Sequence, residues 1–294
     1  MIKKYYQADR LRDLRELILR GGKLYGDRTA FRDLDSQGEI HDYSYNQLIK
    51  DVDSLGTKLL DMGLKGKHFA LVGESSYSYV VSYLAVACGL GVIVPLDKEM
   101  SNEDLIRLVQ KSDAEVILYS DQLAEDIAEI RKECPAVNLC INISMYEKST
   151  DDPGINTLLD EGRSLVQGGD SRYQQLEIDP AAMSVIIFTS GTTGANKGVM
   201  LSQRNLMTVL HGAFSMFKFP KVSFSVLPIN HSYEFNLHVL GCIYGGMSLA
   251  FNDSIMHVGQ NLKTFQPEMS LMVPMIVEAL YKNIWKNAEK QHLD

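Results

Sequence analysis

The 294-residue sequence predicts an α/β protein with two adjoining, mainly parallel sheets flanked by helices. Three observations carry that expectation. Short apolar, β-branched runs at 68–72, 91–94, 116–119 and 137–143 alternate with segments whose apolar residues recur at helical spacing, as crossover units of a parallel sheet do. The alternation pauses over 144–180, where Gly, Asp and Ser accumulate without a long apolar run, and resumes from 183. With 45% hydrophobic and 22% charged residues, the chain can bury a sizeable core and does not read as disordered. The pause places the expected boundary: a first α/β subdomain over 1–178 and a second over 179–294.

Taken in order, a helix over 10–20 follows from the spacing of Leu11, Leu14, Leu17 and Ile18, with Gly21 and Gly22 as its stop. The stretches 25–31 and around Tyr43 read as short strands joined by a turn at Ser36, Gln37 and Gly38. Ser44 can cap a helix over 45–62 that Gly63 ends. After strand 68–72, a helix over 76–88 and a strand over 91–94 share a run whose apolar length, 79–95, approaches a membrane span. Gly89 and Gly91 interrupt that run and Pro95 closes it, which fits a buried helix and a buried strand rather than a spanning helix. Ser101 and Asp104 have the spacing of a capping box ahead of a helix to Lys111. Strand 116–119, helix 122–132 and strand 137–143 complete the first set, and a short helix near 155–165 crosses the connector. The second set is strand 183–188, helix 203–217, strand 223–227, helix 233–244, strand 247–251, helix 256–265, strand 269–273 and helix 275–290.

The formal charge of −8 and the lack of a Lys/Arg run exclude a nucleic-acid surface. Cys88, Cys134, Cys140 and Cys242 have no C-x-x-C spacing, so they read as reduced core or near-surface thiols rather than zinc ligands or disulfides. The first residues run into a charged helix with no legible secretory leader. The expected location is cytoplasmic; attachment to a membrane surface stays open, without an obvious polybasic or amphipathic anchor.

The most informative stretch runs from Phe188 to Gly198, Phe-Thr-Ser-Gly-Thr-Thr-Gly-Ala-Asn-Lys-Gly. It follows an apolar strand and leads into Val199, Met200 and Leu201 ahead of a helix from Gln203. Thr189, Ser190, Thr192 and Thr193 supply hydroxyls, Gly191 and Gly194 allow close backbone approach, and Lys197 adds a point charge. That is the chemistry of a polyphosphate cradle. A Walker-type loop is a poor match, because Asn196 precedes Lys197 and Gly198 follows it.

The run from Thr189 to Gly194, followed by Lys197, Gly198 and Val199, resembles the phosphate-binding signature of the adenylate-forming superfamily. Acyl-CoA synthetases, luciferases and peptide-synthetase adenylation domains belong to it. Asn196 stands where proline is usual. A second stretch agrees. Leu227, Pro228 and His231 match the superfamily's Leu-Pro-x-x-His segment, at the end of an expected strand, and carboxyl ends of strands are where open α/β sheets bind ligands. The continuation Ser232, Tyr233, Glu234 is similar to long-chain fatty acyl-CoA synthetases, as are the stretches 70–75, 91–97 and 271–278. These last three are read as scaffold that supports the family and not the chemistry.

The resemblance implies the N-terminal part of the acyl-CoA synthetase-like fold and ATP-dependent conversion of a fatty acid to acyl-adenylate, then acyl-CoA. It implies that Thr189, Ser190, Gly191, Thr192, Thr193 and Gly194 hold phosphates and that Lys197 neutralises departing pyrophosphate. It also implies magnesium near Thr193, His231 and Tyr233 beside the carboxylate, and coenzyme A as co-substrate, largely outside this chain. An acyl carrier protein is an alternative acceptor. The superfamily's later adenine, ribose, hinge and catalytic-lysine motifs are not found before Asp294, so the sequence is expected to be an N-terminal portion with the C-terminal catalytic domain absent and little activity alone. Two other readings stay open: an enzyme activating aryl or amino acids or loading a carrier protein, and a non-catalytic nucleotide- or partner-binding module.

Overall fold

One sheet draws strands from both ends of the sequence, and the other takes its strands from the middle, between 68 and 202. The computed structural model describes residues 8–146, 151–189, 196–216 and 219–290. A five-stranded sheet has the order β11-β9-β10-β1-β2, with β1 (Thr29–Leu34), β2 (Ile40–Ser44), β9 (Val222–Ser225), β10 (Ser248–Phe251) and β11 (Met269–Ser270). A six-stranded sheet has the order β6-β5-β3-β4-β7-β8, with β3 (His68–Val72), β4 (Val92–Leu96), β5 (Val116–Tyr119), β6 (Leu139–Asn142), β7 (Met183–Thr189) and β8 (Lys197–Ser202). Pairing is parallel except for β1 with β2 and β7 with β8.

The division between the sheets therefore does not fall at residue 178. Phe31 is in register with Leu249, so β1 crosses to the later strands, while Val185 of β7 is in register with Ile93 of β4. Strand partners so distant in sequence leave no trace in local periodicity. The described part of the connector from 151 is a covering segment, carrying α6 (Ile155–Gln167) against α2 (Tyr45–Asp61).

The layers follow from which face each strand buries. In β3, Phe69 and Leu71 join the central cluster, whereas Ala70 and Val72 join a second cluster on the outer face with α4 (Asn102–Lys111) and α5 (Ala124–Glu133). A parallel strand buried on both faces reads as an unbroken apolar run for this reason. The central cluster lies between the sheets and includes α3 (Tyr77–Ala87), every residue of which is buried. That burial explains the membrane-like apolarity of the run from 79. Among the described residues no helix is long and apolar enough to cross a membrane. A third cluster caps the outer face of the five-stranded sheet with Phe224, Ala250, Val258 and Phe265, the last two on α9 (Val258–Phe265).

Several boundaries differ from expectation. Gly21 and Gly22 do not stop the first helix; α1 (Leu14–Tyr25) continues through both and ends at Gly26, where φ is +54°. The pair is buried because α2 lies so close that a Cβ on either glycine would meet Tyr45 or Ile49. The stretch after residue 196 is a strand, β8, folded back on β7. The strand expected over 269–273 is only Met269–Ser270, and the helix expected over 233–244 is a π-helix, Tyr233–Val239, continued by α8 (Leu240–Gly245). The helix from 203, α7 (Gln203–Met216), is fastened at its first residue: buried Gln203 accepts from the Leu14 N–H and donates to the Ala87 carbonyl. One amide thus ties the second half of the chain to the start of α1 and the end of α3. The four cysteines are free and buried.

Candidate active site

The first motif is carried by the β7–β8 hairpin. Thr189 and Lys197 are paired across it, as are Phe188 and Gly198. Both Thr189 and Lys197 are exposed, at the carboxyl end of a parallel strand. A Cβ on Gly198 would lie 3.1 Å from Ile186 and 3.3 Å from Phe188, which accounts for glycine there. Lys111, the last residue of α4, reaches across the sheet and donates to the Asn196 carbonyl. Ser190, Gly191, Thr192, Thr193 and Gly194 lie outside the described residues.

The second motif follows β9. The chain leaves Ser225, turns so that the His231 N–H donates to the Pro228 carbonyl at 3.1 Å, and enters the π-helix as the Phe235 N–H donates to the His231 carbonyl at 2.9 Å. His231 and Tyr233 are exposed. The His231 ring has no hydrogen-bond partner among the described residues. The two motifs therefore sit on different sheets, each beyond the carboxyl end of a parallel strand. Between them runs α7, which packs on β7, β8 and the π-helix.

Directly under His231 lies a polar network that pattern reasoning did not assemble. Glu234 is wholly buried; its Oε1 accepts from Ser225 Oγ and lies 2.9 Å from His238 Nδ1. His238 Nε2 is 2.6 Å from Ser223 Oγ, which also donates to the Met269 carbonyl. Glu234 Oε2 has no partner among the described residues. Burial, followed by the charge of Glu234, pushes the Cys242 thiol well up. The Ser223–His238–Glu234 order matches that of a hydrolytic triad, but all three are at most 1% exposed, so no substrate reaches the serine. The sequence signal was present: two serines two apart on one strand, and an acid and a histidine four apart on the following helix.

A cavity of about 570 Å³ opens elsewhere, between the ends of β1 and β10 and those of β3, β5 and β6. Asp33, Asp35, Glu74, Asp121 and Asp253 line it, with no lysine or arginine among the described lining residues. That charge disfavours a polyphosphate there. Asp33 at its base accepts the Tyr77 N–H on both oxygens at 3.0 Å, and burial pushes its carboxyl up to about 7.

Residues 20–293 match the AMP-binding enzyme family. The chain belongs to that family. Its curated relatives include long-chain-fatty-acid–CoA ligase 5 of Rattus norvegicus, 28% identical over 84% of this chain and 38% of the relative. They also include the chloroplastic long-chain-fatty-acid–[acyl-carrier-protein] ligase AEE15 of Arabidopsis thaliana, 27% identical over 89% of this chain and 38% of the relative. Among solved structures, a long-chain-fatty-acid–CoA ligase of Archaeoglobus fulgidus has a TM-score of 0.79 at 17% identity, covering 94% of this chain and 54% of that one. That likeness establishes the fold of the AMP-binding family for the described residues. The chain spans less than half the length of the first curated relatives it matches.

Proposed function

We propose that this chain supplies the polyphosphate-binding and carboxylate-facing part of an AMP-forming acid–thiol ligase that acts on a long-chain fatty acid. The observation that carries the reading is the β7–β8 hairpin. It presents Thr189 and Lys197 side by side, exposed, at the carboxyl end of a parallel strand and flanking the Ser/Thr/Gly run. The curated ligases named above support the acid class.

In the proposed reaction a carboxylate oxygen attacks the α-phosphorus of ATP, and the bond from that phosphorus to the pyrophosphate oxygen breaks. Lys197 and the Thr189–Gly194 run hold the β- and γ-phosphates and offset the charge gathering on pyrophosphate. His231 and Tyr233 border the carboxylate. A thiolate, of coenzyme A or of a carrier protein's prosthetic group, then attacks the acyl carbon and AMP leaves. Among the described residues no group of three His, Cys, Asp or Glu is placed to hold a metal. Magnesium, which would screen phosphate charge, is proposed to ride on the phosphates, with Thr193 as its protein contact.

The test is ATP–pyrophosphate exchange with short, long and aryl acids, together with ATP titration of wild type and Lys197→Ala. The expected result is that Lys197→Ala weakens ATP about tenfold or more, as loss of a charged hydrogen bond does. Unchanged ATP affinity would favour a non-catalytic module. Exchange with aryl acids alone would replace the fatty-acid assignment.

A further inference from the structure

The Glu234 network sits immediately behind the exposed His231 turn, and its composition is unusual for a core. Two serines, a glutamate and a histidine occupy buried positions on β9 and the π-helix, interleaved in sequence with the core residues Phe224, Phe235 and Val239. Buried charged groups are no better for stability than well-packed apolar ones, so stability alone does not explain them. What they do uniquely is fix direction. Ser225 is the last residue of β9, and Glu234 is one residue past Tyr233 and three past His231. The bond from Ser225 Oγ to Glu234 Oε1 therefore closes the loop bearing Pro228, His231 and Tyr233 across its base. His238 holds the same oxygen from below and is itself held to Ser223. The π-helical winding suits this: the Leu240 N–H bonds back to the Phe235 carbonyl, five residues earlier, and the wider turn sets Glu234 and His238 on one face.

We infer that Glu234, braced by His238 and Ser225, is the positioning residue that sets His231 and Tyr233 against the reacting carboxylate. It touches no substrate; it acts through the turn. This inference rests on the proposed assignment of His231 to the acid site, and its test separates the two.

In the 294-residue chain, the ring resonances of His231 are recorded by NMR, and palmitate affinity by titration calorimetry, for wild type, Glu234→Gln and Ser225→Ala. Ile127→Ala, in the outer cluster of the other sheet, serves as a destabilised control. Glu234→Gln and Ser225→Ala are expected to move the His231 resonances and to weaken palmitate, about tenfold for the first and less for the second. The control, with a comparable drop in unfolding midpoint, leaves both at wild-type values. Ser225→Ala removes a single hydrogen bond and keeps the test alive should Glu234→Gln not fold. Unmoved His231 resonances in the folded variants, or an equal shift in the control, would overturn the inference. If wild type binds no palmitate, the acid-site reading fails, and the His231 resonances alone decide whether Glu234 positions the turn.

Discussion

The two motif-bearing regions are built in opposite ways. The β7–β8 hairpin presents Thr189 and Lys197 chiefly on backbone pairing, with exposed side chains above, the Lys111 bond to the Asn196 carbonyl and a small contact at Gly198. The β9 turn presents His231 and Tyr233 above four buried polar side chains that bond to one another and to the neighbouring backbone. The polyphosphate role proposed for the first region calls for donors and access, and exposed Thr189 and Lys197 offer both. The carboxylate-facing role proposed for His231 calls for a fixed base, which a backbone turn alone does not provide.

That contrast predicts a graded set of stability effects. Glu234→Gln should lower the unfolding free energy by about 3–5 kcal/mol, because it breaks a buried pair and leaves His238 facing an amide. Urea denaturation measures it, and a loss near zero would erase the distinction between the regions. Asp33 sharpens the point, since it is a buried carboxylate held by a backbone N–H rather than an imidazole in direct contact. Its carboxyl is raised to about 7, so between roughly pH 4 and 7 the folded chain keeps a proton that the unfolded chain releases. Its contribution is present at low pH and lost as pH rises through 7. Asp33→Asn should flatten that slope by about 2–3 kcal/mol between pH 5 and 8, read as the difference in denaturation curves from wild type.

On the hairpin the effects shrink. Gly198→Ala should cost about 1 kcal/mol, because the new methyl presses on Ile186 and Phe188, which must shift by a few tenths of an ångström. Lys197→Ala should change the unfolding free energy by less than about 0.5 kcal/mol while weakening ATP binding. A large stability loss there would mean the hairpin, too, rests on its side chains.

The sequence by itself determined the alternation of strands and helices, the buried nature of the run from 79 and the two motifs with their residues. Each of these is local: periodicity, capping and spacing are set within a dozen residues, as Ser44, Ser76 and Ser101 show by capping α2, α3 and α4. The tertiary structure decided which sheet each strand joins. β1 pairs with β10 although more than two hundred residues separate them, and no nearby residue encodes that choice. It also decided that Gly21 and Gly22 bring two helices together rather than end one. The same holds for Glu234: its spacing to His238 was visible, but its meaning depends on Ser223 and Ser225 meeting it across a loop. A hydrogen-bonded network is a property of closed distances, and distance is what a one-dimensional pattern lacks.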